Sequence, residues 1–494
     1  MRYFTFSLVL IVLLGFALQS RPVVAQYGDV PQPPEELKTG FESITAEQAE
    51  QWLGVIAGAE FEGRGTGQIG YMKAAHWVAG KLAEFGLEPI GDGDTYFQIM
   101  PLTKRTPEMS QCKLILANDE EILGEGNLGF ERYTDQGEIT GEVVFLKMEG
   151  EDAQVPEELE LRDKIVIYST DESAAASAPW RIARKRPTAA IRVIETEPKS
   201  VSQTVFPGRR SRSTSVSGTI LKAAAEELAE SLEVDPTWNE SKPFVDTEST
   251  VSIRMPMREE KSGAPNVVAL LKGSDPELQH EYVVIGAHLD HLGTRGGRVY
   301  PGADDNGSGS TAVLSIARAM AANPVKPKRS VLFMWFAAEE VGLVGSRYYT
   351  NNPILPLEDM TCMFNIDMVG RNEDQGEGDA DSDNEGHIHL VGSQRGDTEL
   401  HNIVLAANQY VGFEFELDME SVWNRSDQVN FYKHGVPVAF LFGGFHPDYH
   451  RPSDQPAKIN YPKIAAAAKL YYVATHQAAN YGKFQLKAED NSEE

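Results

Sequence analysis

Residues 282–309 read YVVIGAHLDHLGTRGGRVYPGADDNGSG. An apolar run, 282–287, comes first. A polar, glycine-rich loop follows, and from Ser310 to Ala321 apolar residues recur at helical spacing. Strand, loop and helix in that order are the repeating unit of a wound α/β fold. The same cadence returns downstream, with apolar runs at 331–336, 362–366, 388–391 and 438–442 and a second helical pattern over 398–410. Strands alternating with helices predict α/β architecture, with a mainly parallel or mixed central sheet flanked by helices.

Polar residues suited to chemistry stand just past these runs. His288 and Asp290 follow the first, Glu339 and Glu340 the second, Asp367 the third, and His450 lies beyond the last. Asp304 sits in the loop before the first helix. In an open α/β sheet the loops at the carboxyl ends of strands converge on one crevice. Residues far apart in sequence are therefore expected to meet at one point.

Upstream, residues 46–56 form a helical pattern, followed by the glycine-dense turn Glu62-Gly63-Arg64-Gly65-Thr66-Gly67. A second helical pattern, 71–85, ends at Gly86, read as its C-cap. Between about residue 105 and residue 255 short β-like runs (112–116, 142–146, 164–168, 189–194) alternate with acidic or Ser-rich loops. The basic stretch 200–217 reads as an exposed loop. The chain is thus expected to divide into a signal peptide (1–25), an N-terminal arm (26–44), a first peptidase segment (45–105), a β-rich insert (106–255), the catalytic segment (256–485) and an acidic tail (486–494).

Arg2, the apolar stretch from Phe6 to Leu18 and the small residues Val23-Val24-Ala25 form an export signal, with the mature chain expected to begin at Gln26. The protein is expected in a periplasm or outside the cell, with no membrane attachment after cleavage. The 45 basic and 73 acidic residues give a net charge of −28. That charge disfavours nucleic acid and anionic membranes as partners. With only Cys112 and Cys362 present, a thiolate metal site is excluded. Any metal must be held by imidazole and carboxylate.

Zinc accepts both donor types and, in catalytic sites, leaves a position open for water. Two His and three carboxylates hold two ions if one carboxylate bridges, and a pair about 3.5–4 Å apart both polarises a carbonyl and holds a nucleophile. A further carboxylate must then move the proton. The adjacent Glu339 and Glu340 suit that division.

The motifs Gly286-Ala287-His288-Leu289-Asp290, Gly302-Ala303-Asp304-Asp305-Asn306-Gly307-Ser308-Gly309, Ala338-Glu339-Glu340-Val341-Gly342-Leu343, Asn365-Ile366-Asp367-Met368 and Asp448-Tyr449-His450 resemble those of the cocatalytic zinc exopeptidases. That family takes in aminopeptidase Y, the secreted bacterial leucyl aminopeptidases, glutamate carboxypeptidase and transferrin receptor. The turn at 62–67 resembles the family's N-terminal turn, and the insert resembles a protease-associated domain.

The resemblance implies two zinc ions per chain, peptide substrates and aminopeptidase activity. It places His288 and Asp367 on one ion, Glu340 and His450 on the other, and Asp304 between them. Glu339 becomes the general acid/base, and Asp290 the residue that fixes the His288 tautomer. It also implies a cis peptide between Asp304 and Asp305.

Relatives commonly have Ser-Asp-His where Ser426-Asp427-Gln428 stands, and Thr where Arg451 stands; both departures are expected near the substrate cleft. His291, His434 and His446 are read as structural or cleft residues. The acidic run from Asp379 to Glu385 lacks the Gly and Glu that a calcium loop requires. Three rival readings remain open: a carboxypeptidase using Arg451, a one-zinc glutaminyl cyclase relative, and a non-catalytic binding protein. Oligomeric state and preferred side chain are not legible in the sequence.

Overall fold

An apolar run bounded by loops becomes a buried strand when both of its faces find a partner layer. The runs beyond residue 280 do this in the computed structural model, which describes residues 30–123, 126–133, 137–208, 215–236, 242–373 and 385–486. The export signal, the 379–384 part of the acidic run and the terminal tail from Lys487 lie outside the described residues.

The main path of the large sheet runs through nine strands: β1 Phe97–Pro107, β2 Gln203–Val205, β3 Met257–Leu271, β4 Tyr282–His288, β5 Ser330–Phe336, β6 Met360–Asp367, β7 His387–Val391, β8 Glu414–Glu416 and β9 Val438–Phe442. Their spatial order is β8-β7-β9-β6-β4-β5-β3-β1-β2, with the short Glu88–Pro89 strand added beside β3. At the centre β5, β4, β6 and β9 are mutually parallel, whereas β3 and β7 join that core antiparallel. The sheet is mixed, with a parallel heart.

Alternation along each central strand feeds two cores. Val283, Ile285 and Ala287 of β4 face one apolar layer with Phe333 and Trp335, while Val284, Leu332 and Met334 face the other. The first layer is closed by helices Ala46–Ile56, Gly309–Ala322 and Tyr461–Asn480, the last buried along nearly its whole length. The second is closed by Tyr349 and Phe431. Trp335 is fully buried, and its indole N–H donates to Ser310 O at 3.1 Å, tying strand to helix.

A second, eight-stranded sheet gathers the segment between β1 and β3, including Glu138–Met148, Ile165–Thr170, Ala189–Ile194, Val216–Leu221 and Phe244–Arg254. It has its own apolar clusters on two faces. Part of the stretch read as an exposed loop behaves otherwise. Gln203–Val205 is a strand of the large sheet, pairing Val205 with Thr103. The β-branched Thr204 and Val205 supply the extended preference that a basic, Ser-rich composition masks. The 71–85 pattern is helix Ile69–Glu84, capped by Phe85, with Gly86 next in the left-handed region at φ 75°.

Candidate metal centre

His288 is the last residue of β4 and Asp367 the last of β6. Glu339 and Glu340 follow β5, and His450 follows β9. The backbone beside them is bent tightly. Ala338 (φ 56°), Met368 (φ 53°) and His450 itself (φ 57°) adopt the left-handed conformation, sparsely populated for residues with a side chain and concentrated at functional sites. Gly302 also has positive φ (57°). A Cβ there would stand 2.2 Å from Asp305 O and 2.4 Å from the His291 ring, so only glycine allows the loop to close over the histidine.

Two groups of donors result. His288 Nε2 lies 3.2 Å from Asp367 Oδ1, 3.5 Å from Asp305 Oδ1 and 3.9 Å from Glu339 Oε2. His450 Nε2 lies 3.1 Å from both Asp305 Oδ2 and Glu340 Oε2. Asp305 sends one oxygen to each group. The bridging position assigned to Asp304 therefore falls to its neighbour.

The reason is local. Asp305 has extended backbone (φ −95°, ψ 100°), so successive side chains point to opposite sides. The Asp304 carboxylate turns away, accepting from Gly370 N at 2.6 Å and lying 3.2 Å from His446 Nε2. Asp454 accepts from the backbone N–H groups of both Asp304 and Asp305. The cis peptide is likewise one residue on, between Asp305 and Asn306.

Asp290 also differs from expectation. The Asp290 backbone carbonyl is the group 3.1 Å from His288 Nδ1; its carboxylate Oδ1 is 3.9 Å away and accepts instead from Glu339 N at 3.0 Å. The carbonyl still directs Nε2 towards Asp367 and Asp305. The carboxylate positions the backbone of Glu339.

Three residues enter the site beyond those given a metal-binding or catalytic role from the sequence. His291, read as structural or a cleft residue, stands with its Nδ1 2.7 Å from Glu340 Oε1 and 3.7 Å from Asp305 Oδ2. Both its ring nitrogens are buried without a hydrogen-bond partner, as is Glu340 Oε1. Arg64, fully buried, donates to the carbonyls of Leu289 (2.7 Å), Ile56 (2.9 Å), Pro301 (2.7 Å) and Gly302 (2.8 Å). Thr66 Oγ1 accepts from Ala338 N at 2.9 Å. The turn at 62–67 thus holds three donor-bearing loops together. In the sequence it showed as a charged residue between glycines and as a resemblance to the family's N-terminal turn.

Ser426 Oγ donates to Asp367 Oδ2 at 2.8 Å. Asn365 donates in turn to Ser426 Oγ and to Gln428 Oε1. Gln428 is buried behind Asp367 and not at the cleft surface, and Arg451 is exposed and outside the pocket lining. His446 faces Asp304, and His434 is on the surface with its Nδ1 near Asn430 O.

Without a cation the cluster is electrostatically unbalanced. Burial, with Glu340 and Asp367 nearby, raises the Glu339 carboxyl well above its ordinary range against the opposing pull of His288. Burial lifts Asp290 to about 7. Burial opposes ionisation of Glu340 as well, yet His291 and His450 hold it below the carboxylate range. Burial would lower His450, but Asp305 and Glu340 raise it to about 10.

Donors 3.1–3.7 Å apart match the edge of a tetrahedron, about 3.3 Å, around an ion with bonds of about 2.0–2.1 Å. A set of carboxylates buried this deeply needs compensating positive charge. The donor set fits a pair of zinc-type ions. A cavity opens onto it, lined also by Met368, Val422, Phe440, Phe442, Phe445 and Tyr449, with Arg425 among its polar lining.

Fold and site together define an α/β protein with an imidazole–carboxylate centre at the carboxyl ends of its parallel strands. Residues 266–475 match the model of Peptidase family M28. The chain is 33% identical over 217 residues to leupeptin-inactivating enzyme 1 of Streptomyces exfoliatus, the match covering 44% of this chain and 43% of the relative. It is 27% identical over 303 residues to a probable leucine aminopeptidase of Trichophyton verrucosum, covering 56% and 79% respectively. The chain therefore spans less than half the length of the Streptomyces relative.

Among solved structures, an aminopeptidase from Aneurinibacillus sp. strain AM-1 superposes with a TM-score of 0.53 at 21% identity, over 92% of this chain and 98% of the other. BSAP, a zinc aminopeptidase from Bacillus subtilis, gives 0.52 at 19%, over 90% and 98%. At these identities the likeness is one of fold.

Proposed function

We propose that the chain is an exported aminopeptidase that removes N-terminal residues from peptides at a two-zinc centre. His288 and Asp367 would hold one ion and Glu340 and His450 the other, with Asp305 shared and His291 an added donor beside Glu340. When bound, the ions polarise the scissile carbonyl and make water acidic enough to ionise near neutral pH. Glu339, 3.9 Å from His288 Nε2 at the edge of the first donor group, takes the proton from water and delivers it to the leaving amine. Asp290 keeps that base in place through its backbone N–H, and Ser426 orients Asp367. The cavity's apolar lining seats the substrate's terminal side chain.

The observation that carries this reading is the division of the Asp305 oxygens between the two donor groups, with Glu339 alongside. Names of relatives in the family, such as leucine aminopeptidase, support the exopeptidase assignment. Export rests on the pattern at residues 1–25. Among the described residues no helix is long and apolar enough to cross a membrane.

A second reading draws on Arg425, which lines the cavity and hydrogen-bonds to Tyr449 Oη at 3.2 Å. A guanidinium there would suit a substrate carboxylate and hence a carboxypeptidase. Aminoacyl-nitroanilides set against N-blocked peptides with free carboxyl ends decide between the two. Cleavage confined to the N-blocked set would sink the aminopeptidase assignment.

A further inference from the structure

The edge of the large sheet carries a separate gathering of imidazole and carboxylate that the peptidase reading leaves unused. His389 on β7 pairs with Glu416 on β8, and Glu373 reaches the same place from the segment after Asp367. Glu373, His389 and Glu416 offer donor atoms within 4.8 Å of one another. The His389 ring is 3% exposed.

Its Nε2 lies 3.2 Å from Glu373 Oε2. An ionised carboxylate only accepts, so Nε2 donates to Glu373. Nδ1 stands 3.3 Å from Glu416 Oε2 and 3.3 Å from Asp418 Oδ1, yet makes a hydrogen bond with neither. A buried ring nitrogen without a hydrogen bond, facing two carboxylate oxygens, makes a ready-made cradle for a cation among them. The spacing is again close to the tetrahedral edge of about 3.3 Å expected for zinc. The ligands are also braced from behind. Glu373 fixes the ring of His389, and Glu416 Oε1 lies 2.9 Å from His387 Nδ1. Such supporting partners are characteristic of metal-binding imidazoles.

We propose that His389 Nδ1, Glu416 and Asp418 bind a further divalent cation, of the zinc class, with Glu373 as the carboxylate that orients the histidine. A buried imidazole nitrogen disfavours calcium, which takes oxygen ligands. The ion's position gives it a task. The His389 ring lies 6.0 Å, centroid to centroid, from Phe442, which lines the substrate cavity. An ion here pins β7, β8 and the segment carrying Glu373 behind that wall.

The test is equilibrium dialysis of the full chain against zinc chloride alone, followed by metal analysis. The wild type should hold about three ions, His389→Ala about two, and Asp305→Ala, which removes the shared carboxylate of the pair, about one. About two ions in both wild type and His389→Ala would overturn this site and leave the pair standing. About one ion in the wild type, lost in His389→Ala, would support this site and overturn the pair. If His389→Ala does not fold, Glu416→Gln combined with Asp418→Asn, one half-buried and the other exposed, gives the same comparison. Retention of the extra ion in that double variant would overturn the ligand assignment. Equal filling of the site from calcium chloride would overturn the zinc class.

Discussion

Arg64→Met removes the group that ties the N-terminal turn to the loops bearing Asp290, His291 and Asp305. Four hydrogen bonds to backbone carbonyls disappear. At about 1.5–3 kcal/mol for each bond from a charged donor, the gross loss is roughly 6–12 kcal/mol. Against this stands the relief of no longer burying a guanidinium, a penalty of several kcal/mol. Burial lowers the Arg64 pKa to about 10, opposed by Asp454 and Asp305, so the group stays charged at neutral pH. The net destabilisation should be about 3–5 kcal/mol, the gross loss less that relief.

Chemical denaturation measures that figure. Competition with a zinc chelator measures the second consequence, looser metal binding by about tenfold or more, as expected when groups that orient ligands are lost. Arg64→Lys keeps the charge but brings donors from a single nitrogen, and should recover part of both losses. A methionine variant that loses under about 1 kcal/mol and holds zinc as tightly as wild type would refute the claim that Arg64 sets the donor loops.

Glu339→Gln should retain its metal while kcat falls by about two to four orders of magnitude, the range for loss of a general base; wild-type turnover would remove Glu339 from that role. Asp305→Asn should bind zinc far more weakly than Asp304→Asn, and dialysis followed by metal analysis separates them; equal retention would return the bridge to Asp304. Glu281 gives a prediction remote from the site. Burial would raise its pKa, but Arg329 at 2.7 Å and Lys483 at 3.1 Å lower it. A depressed carboxyl contributes stability in full above its unfolded value, about 4.3, and loses it as pH falls through the folded value. Glu281→Gln should therefore lower stability at pH 7 by about 1.5–3 kcal/mol and flatten the acid limb of the stability profile; parallel profiles would count against the ion-pair account.

What could be read from residues alone follows from which interactions are local. The parallel heart was legible because strands buried on both faces are continuously apolar, as 331–336 and 438–442 are. Metal-type residues past such runs point to one crevice by topology alone. The choice between Asp304 and Asp305 was not legible, because it depends on the backbone turn at Gly302–Asn306, not on composition. His291 looked ordinary until that loop brought it to Glu340. Helix Tyr461–Asn480 shows no polar face because it is buried nearly all round, so periodicity carries no signal there. Strand β3 begins Met257-Arg258-Glu259-Glu260-Lys261, a charged stretch whose strand character comes from pairing with β1.

That pairing has a consequence for how the molecule can vary. Pro107 at the end of β1 lies opposite Met257 at the start of β3, and the ladder continues to Phe97 opposite Val267. The chain departs for the eight-stranded lobe and comes back through adjacent, antiparallel rungs, with Gln203–Val205 as a clip onto the outgoing one. The lobe hangs from a hairpin's open end. Its size or sequence can change without disturbing the order of β5, β4, β6 and β9, where most of the proposed metal-binding side chains are rooted.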